Sequence, residues 1–76
     1  SVSQFLDWFR NQTGQTPMAH FTQLRIRAAC RLLDLTTRSV KAIAIETGYA
    51  DPYYFSRVFT KGMGVSPTRY RAIRKG

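Results

Sequence analysis

One cysteine, one histidine and four carboxylates are all that this chain of 76 residues offers to most kinds of active-site chemistry. A single thiol excludes an internal disulfide. Cys30 lies in RAACRLL beside Ala29 and Leu33, and reads as a small buried hydrophobe in a reducing compartment. A reactive thiol needs an activating partner, and the lone His20 stands more than two helical turns away. No clustered metal ligands, phosphate-cradling glycine loop or nucleophile motif occurs, so neither an enzyme nor a cofactor is expected. Long apolar runs are missing too. None approaches the roughly 18 residues of a spanning helix, and the basic residues are scattered over several short segments instead of lining one membrane-facing helix. There is no signal-peptide pattern.

What the chain does have is positive charge. Twelve Lys and Arg against four Asp and Glu give a formal +8 and a pI near 10.6, inside the range of nucleic-acid-binding domains. Charge alone also suits membranes and acidic proteins. A chain this short is one domain or a fragment, burying roughly 60% of its unfolded surface.

Residues 39–71, SVKAIAIETGYADPYYFSRVFTKGMGVSPTRYR, spell a short helix, a tight turn, a second helix and a stop. Ser39 can accept from the free N–H groups of the first helix, and Asp51 before Pro52 does the same for the second. Gly48 falls where the first helix must end, and glycine adopts a left-handed C′ conformation without a Cβ penalty. Val40, Ile43, Ala44 and Thr47 recur at helical spacing, with small Ala44 where a crossing helix comes close and Tyr49 beneath the turn. The second helix carries Tyr53, Ser56, Arg57 and Thr60 on one side and Phe55, Val58 and Phe59 on the other. That is a helix-turn-helix pattern, with one side to pack and one to read DNA. A helical hairpin that only packs shows the same local signals.

The chain also echoes itself. A shift of fifty positions lays residues 3–25 over 53–75, matching Phe5 with Phe55, Phe9 with Phe59, Gly14 with Gly64 and Pro17 with Pro67, and placing Thr16 over Ser66 and His20 over Tyr70. The matches fall on two apolar anchors, a helix stop and a helix start. They predict recognition helices near 3–12 and 52–62, each followed by a capped helix. Between the units, Pro17 to Asp34 has no internal Gly or Pro. One apolar row runs through Phe21, Leu24, Ala28 and Leu32, and another through Ile26, Ala29, Cys30 and Leu33. A helix apolar on several faces is packed from several directions, so the expectation is a rigid connector clamped by both units. Residues 35–38 form the linker.

At Ile43, Thr47-Gly48-Tyr49, Asp51 to Phe59, Gly64, Ser66-Pro67 and Tyr70-Arg71, together with LRIRAACRLL, the sequence resembles the C-terminal DNA-binding domain of AraC/XylS-family bacterial regulators. The resemblance covers essentially the whole chain. It implies an all-α, homeodomain-like, bipartite domain: residues 1–16 as the remnant of a first helix-turn-helix, 17–35 as the connector helix, and 36–76 as a complete second unit. It further implies a cytoplasmic regulator that activates transcription by placing two helices in successive major grooves of double-stranded DNA and engaging RNA polymerase, without a membrane partner. An effector or dimerisation domain would lie outside this chain. A complete domain of the family runs about thirty residues further at its N-terminus, consistent with the helices of a full first unit. The chain is therefore expected to be a fragment, with an apolar patch around Phe5, Trp8, Phe9 and Leu24.

The site expectations follow. In the second helix Arg57 is the candidate for a bidentate contact to guanine, with Ser56 and Tyr53, one and four residues earlier, beside it. A solvated Arg57 paired with Asp51 or with a phosphate is the alternative. By resemblance the base-facing positions of the first helix are Ser3, Leu6, Asp7 and Arg10. Asp7 fills a slot often held by arginine, so that helix either reads few bases or selects a cytosine. Phosphate contacts are expected from Arg38, Lys41, Tyr54, Thr60, Lys61 and the helix starts at Ser39 and Ser66. The cluster Arg69, Arg71, Arg74 and Lys75 either grips the backbone or is simply solvated. Arg27 and Arg31, with Asp34 as an intrahelical partner, read as structural or polymerase-facing, and Glu46 as a solvated or polymerase-facing carboxylate. The competing function is a helical protein-interaction fragment with only non-specific DNA affinity.

Overall fold

The computed structural model describes residues 1–75, with side chains through Arg74. Five helices follow one another: α1 (Val2–Thr13), α2 (Pro17–Leu35), α3 (Val40–Glu46), α4 (Pro52–Met63) and α5 (Pro67–Lys75). No strand occurs among the described residues. Helices are present over both stretches where recognition helices are expected, one residue longer at most ends than the pattern foretold, and the linker falls at residues 36–39.

Local chemistry explains where each helix begins and ends. Thr16, Ser39, Asp51 and Ser66 each accept a backbone N–H from the first turn of the helix they open. Prolines at the starts of α2, α4 and α5 lack a donor that would have no intrahelical partner there. Gly14 (φ 76°) and Gly64 (φ 83°) close α1 and α4 in the left-handed region, donating to Arg10 O at 2.7 Å and Thr60 O at 2.8 Å. Gly48, at φ 100°, reverses the chain between α3 and α4.

The core belongs to the second unit. Ala29 and Leu33 of α2, Ile43 and Ala44 of α3, and Phe55 and Phe59 of α4 are completely buried, with Ile26 and Tyr49 nearly so. Each fully buried Phe or Leu contributes about 1.5–3 kcal/mol relative to exposure. Ala44 and Ala29 are the small residues that let α3 and α2 approach the larger ones. Helix α5 closes the far end. The Tyr70 ring meets Phe59 edge-on at 5.6 Å, its hydroxyl donates to Asp34 Oδ2 at 3.3 Å, and Arg71 donates to Leu33 O and Thr36 O, both at 3.2 Å. Those carbonyls belong to the end of α2, where backbone acceptors lack helical partners. Arg71 is thus a cap for the connector, which corrects its placement among the candidate DNA-gripping residues.

Two other expectations change. Asp34 pairs with Arg74 at 3.4 Å and with Tyr70, across the α2–α5 seam, and not with Arg27 or Arg31. The row Phe21, Leu24 and Ala28 is exposed, Leu32 half-buried, because the core formed by α3 and α4 packs on the Ile26–Ala29–Leu33 face of α2; of this row, the exposure of Leu24 is the one expected. Helix α1 touches α2 chiefly through Phe9, whose ring meets His20 edge-on at 5.7 Å, and contains no fully buried residue. The molecule is consequently elongated, 46 × 24 × 19 Å, with a radius of gyration of 14.3 Å against about 11 Å for a compact chain of this length.

Candidate nucleic-acid interface

Helix α4 separates its two duties by helical phase. Phe55 and Phe59 point inward and are completely buried. On the opposite row Tyr53 is 83% exposed, Arg57 and Thr60 are exposed and Ser56 is half-buried. Positions i, i+3, i+4 and i+7 lie on one helical face, so the four residues expected to read DNA share a single outward surface. Ser56, Arg57, Thr60 and Lys61 line a shallow, open depression there. Arg57 is not paired with Asp51, whose carboxylate instead accepts from the Tyr53 N–H at 2.9 Å. The ion pairs among the described residues are Arg38–Glu46 and Arg74–Asp34, which leaves the Arg57 guanidinium in solvent.

The expected phosphate ligands do not behave alike. Lys41 and Lys61 are exposed, and Tyr54, at 58% exposure, meets the Tyr49 ring at 6.1 Å with an interplanar angle of 45°, so that one side packs while the rest stays accessible. Thr60 donates its hydroxyl proton to Ser56 O at 2.7 Å, leaving only acceptor capacity toward an anion. Arg38 is paired with Glu46 through one guanidinium nitrogen, which leaves its other N–H donors for an anion; Glu46 is thus engaged and not simply solvated. Ser39 and Ser66 serve as caps.

Helix α1 repeats this geometry with different residues. Phe5–Phe9 and Phe55–Phe59 have ring centroids 6.0 and 5.8 Å apart with interplanar angles of 48° and 50°. Phe9–His20 likewise reproduces Phe59–Tyr70. The echo in the sequence is therefore an echo in space. Its outward row is Ser3, Leu6, Asp7 and Arg10, all exposed. Of the four carboxylates in the chain, Asp34 and Glu46 are paired and Asp51 caps a helix. Asp7 is the one on a candidate reading surface.

Two arginines matter to the framework: Arg71, capping α2, and Arg25, which lies outside the expected sites and whose guanidinium is 4.6 Å from the Phe21 ring centre and 5.3 Å from that of Tyr49. The spacing of Phe21 and Arg25, one helical turn apart, was the available signal for the second. Cys30 is half-buried on the α2–α5 seam, and burial pushes its thiol pKa up, as it does that of the Tyr70 phenol. No group of three or more metal-binding side chains, and no helix long and apolar enough to cross a membrane, occurs among the described residues.

Comparison with known proteins places this geometry. A helix-turn-helix domain model matches residues 1–73. The MmsAB operon regulatory protein of Pseudomonas aeruginosa is 47% identical across the whole chain, which spans 25% of that protein. The HTH-type transcriptional activator RhaR of Mannheimia succiniciproducens is 42% identical over 95% of the chain, again about a quarter of the relative's length, at 26%. Among solved structures, the DNA-binding domain of the global transcriptional factor AdpA, in complex with a target DNA, superposes with a TM-score of 0.92 at 32% identity, over 99% of this chain and 68% of that one. The match over almost every residue, together with five helices in this order, shows that the chain belongs to the AraC-type helix-turn-helix family.

Proposed function

We propose that this chain is a sequence-reading module of a bacterial transcription regulator acting in the cytoplasm on double-stranded DNA, with α4 as its principal reading helix. The observation that carries the reading is the outward row Tyr53, Ser56 and Arg57 on a helix whose opposite row is locked into the core. A base-reading side chain discriminates only when its backbone is held in place, and Phe55 and Phe59 hold it. Arg57, free of any ion pair, is assigned to guanine O6 and N7. Lys41, Lys61, Arg38, the Tyr54 hydroxyl and the N–H groups at the start of α5 are assigned to phosphates. AdpA's structure with its target DNA supports the assignment of partner.

Helix α1 is assigned as the recognition helix of a first unit that is incomplete in these residues. Support comes from the fifty-residue echo in space and from Phe5, Trp8, Phe21 and Leu24, which are 49–58% exposed and offer an apolar surface for the supporting helices of such a unit. Activation through RNA polymerase leaves Arg27 and Arg31, exposed on α2, as the basic pair for a protein partner. Selection from random duplexes tests the whole reading. One enriched half-site, bound with a salt slope of about 0.9 per phosphate contact, is the expected result for α4 alone. Two half-sites about one DNA turn apart are expected if α1 reads as well. Equal affinity for all sequences would instead leave a protein-interaction fragment.

A further inference from the structure

Arg25 occupies an unusual position for a cation. It is half-buried in the middle of α2, and among the described residues it faces no carboxylate at ion-pair distance. Its guanidinium is held by the rings of Phe21, on the same helix, and Tyr49, just beyond the turn. A Cβ built on Gly48 would lie 3.1 Å from Arg25 Cζ, 3.2 Å from Nε and 3.3 Å from NH2. An approach in the guanidinium plane would meet the nitrogens first. Cζ is nearest, so the flat face of the group lies on the bare Cα of the turn. The φ of 100° favours glycine at position 48, and a side chain there would also press on the arginine.

We propose that Arg25 is a positioning residue: laid on Gly48 between Phe21 and Tyr49, it locks the turn of the second unit to the connector and so sets the angle between α1 and α4. The inference rests on the DNA-reading assignment of both helices. Its mechanical basis does not. The buried contacts Ile26, Ala29 and Leu33 hold α2 from its middle to its C-terminal end, and a helix held over one half can still tilt about it. From Ile26 to Pro17 is about 14 Å of helix, so a tilt of about 10° displaces the α1 end by about 2 Å. Arg25 stands between that pivot and His20, where α1 is attached. Tyr49 in turn touches Tyr54 and Phe55, at 6.1 and 5.4 Å, so the clamp reaches the first turn of α4 directly.

The test has two arms. Spin labels at Asn11→Cys on α1 and Thr68→Cys on α5, in a Cys30→Ala background, report the angle by their distance distribution, with circular dichroism confirming that each protein is folded. A narrow distribution that broadens in Arg25→Ala, and also in Arg25→Lys, which keeps the charge but lacks the flat face, is the expected result. An unchanged distribution in Arg25→Ala, or full restoration by lysine, would overturn the clamp. The second arm compares duplexes carrying one and two selected half-sites. Arg25→Ala should keep its single-site affinity and lose about tenfold of the two-site advantage, within the usual range of coupling between sites; equal loss on both duplexes would overturn the positioning role. If the unsubstituted protein shows no two-site advantage, the assignment of α1 as a reader fails, and the distance distributions still decide the clamp.

Discussion

Helices α1 and α4 are each twelve residues long, close on a left-handed glycine and lead into a Pro-initiated helix, yet one is almost bare and the other is the centre of the core. Phe55 is completely buried while its counterpart Phe5 is 51% exposed. The same contrast separates Pro67, buried, from Pro17, half-buried. Helix geometry and ring-to-ring packing are therefore local properties, reproduced in both places. Burial is not local: it requires α3 and the end of α2, which only the second unit possesses. A reading helix needs both, because an outward row is only as well placed as the inward row that anchors it.

The sharpest way to break this comparison is to remove matched rings. Phe55→Ala should cost about 3–5 kcal/mol and unfold much of the chain in a urea titration, whereas Phe5→Ala should change stability by about 0.5 kcal/mol or less. Comparable losses would mean that α1 is packed in solution. Next in size is the reading row. Arg57→Ala should lose about 1–3 kcal/mol of discrimination at one or two base pairs in competition binding, with non-specific affinity largely kept. At the matched position, Asp7→Arg should tighten general DNA binding and steepen the salt slope by about 0.9; weaker binding would show that Asp7 accepts from a cytosine.

Smaller effects are expected at the caps. Ser66→Ala should cost about 1 kcal/mol of global stability, since α5 is tied into the core. Thr16→Ala should appear mainly as faster hydrogen exchange in the first turn of α2. The smallest effect concerns pH. Burial raises the pKa of Cys30 and of Tyr70, so the folded state holds both protons more tightly than the unfolded state. Their contribution is fully present below the ordinary thiol and phenol values and is lost as pH rises through the raised ones. Urea midpoints should fall above the ordinary thiol pKa, less so in Cys30→Ala, and no such dependence should be traceable to the α1 side.

Much of this was legible in advance. Caps at Thr16, Ser39, Asp51 and Ser66, stops at Gly14, Gly48 and Gly64, and the outward phase of Tyr53, Ser56 and Arg57 all depend on residues within about one turn of each other, and periodicity and turn chemistry report such relations directly. The long-range partnerships were not legible. By sequence Arg71 reads as part of a cluster that grips DNA or is simply solvated, and it instead caps α2 from 35 and 38 residues away. Asp34 was given to its helical neighbours and instead bonds to Tyr70 and Arg74 on α5. Phe21 reads as part of a packed row, but that row faces away from the packed side of α2, while the exposure of Leu24 in the same row agrees with the apolar patch expected there.

The order of residues alone determined five helices, their limits, the repeat and the face each reading helix turns outward, because hydrogen bonding at helix ends and side-chain phase are set by near neighbours. Only the tertiary structure decided which repeat is anchored, which cations are free and which are structural, and that Arg25 lies on Gly48. Those outcomes depend on how α2 crosses α3, α4 and α5, and the crossing is settled by the simultaneous burial of Ala29, Leu33, Ile43, Ala44, Phe55 and Phe59, a many-body packing condition that no single stretch of sequence contains.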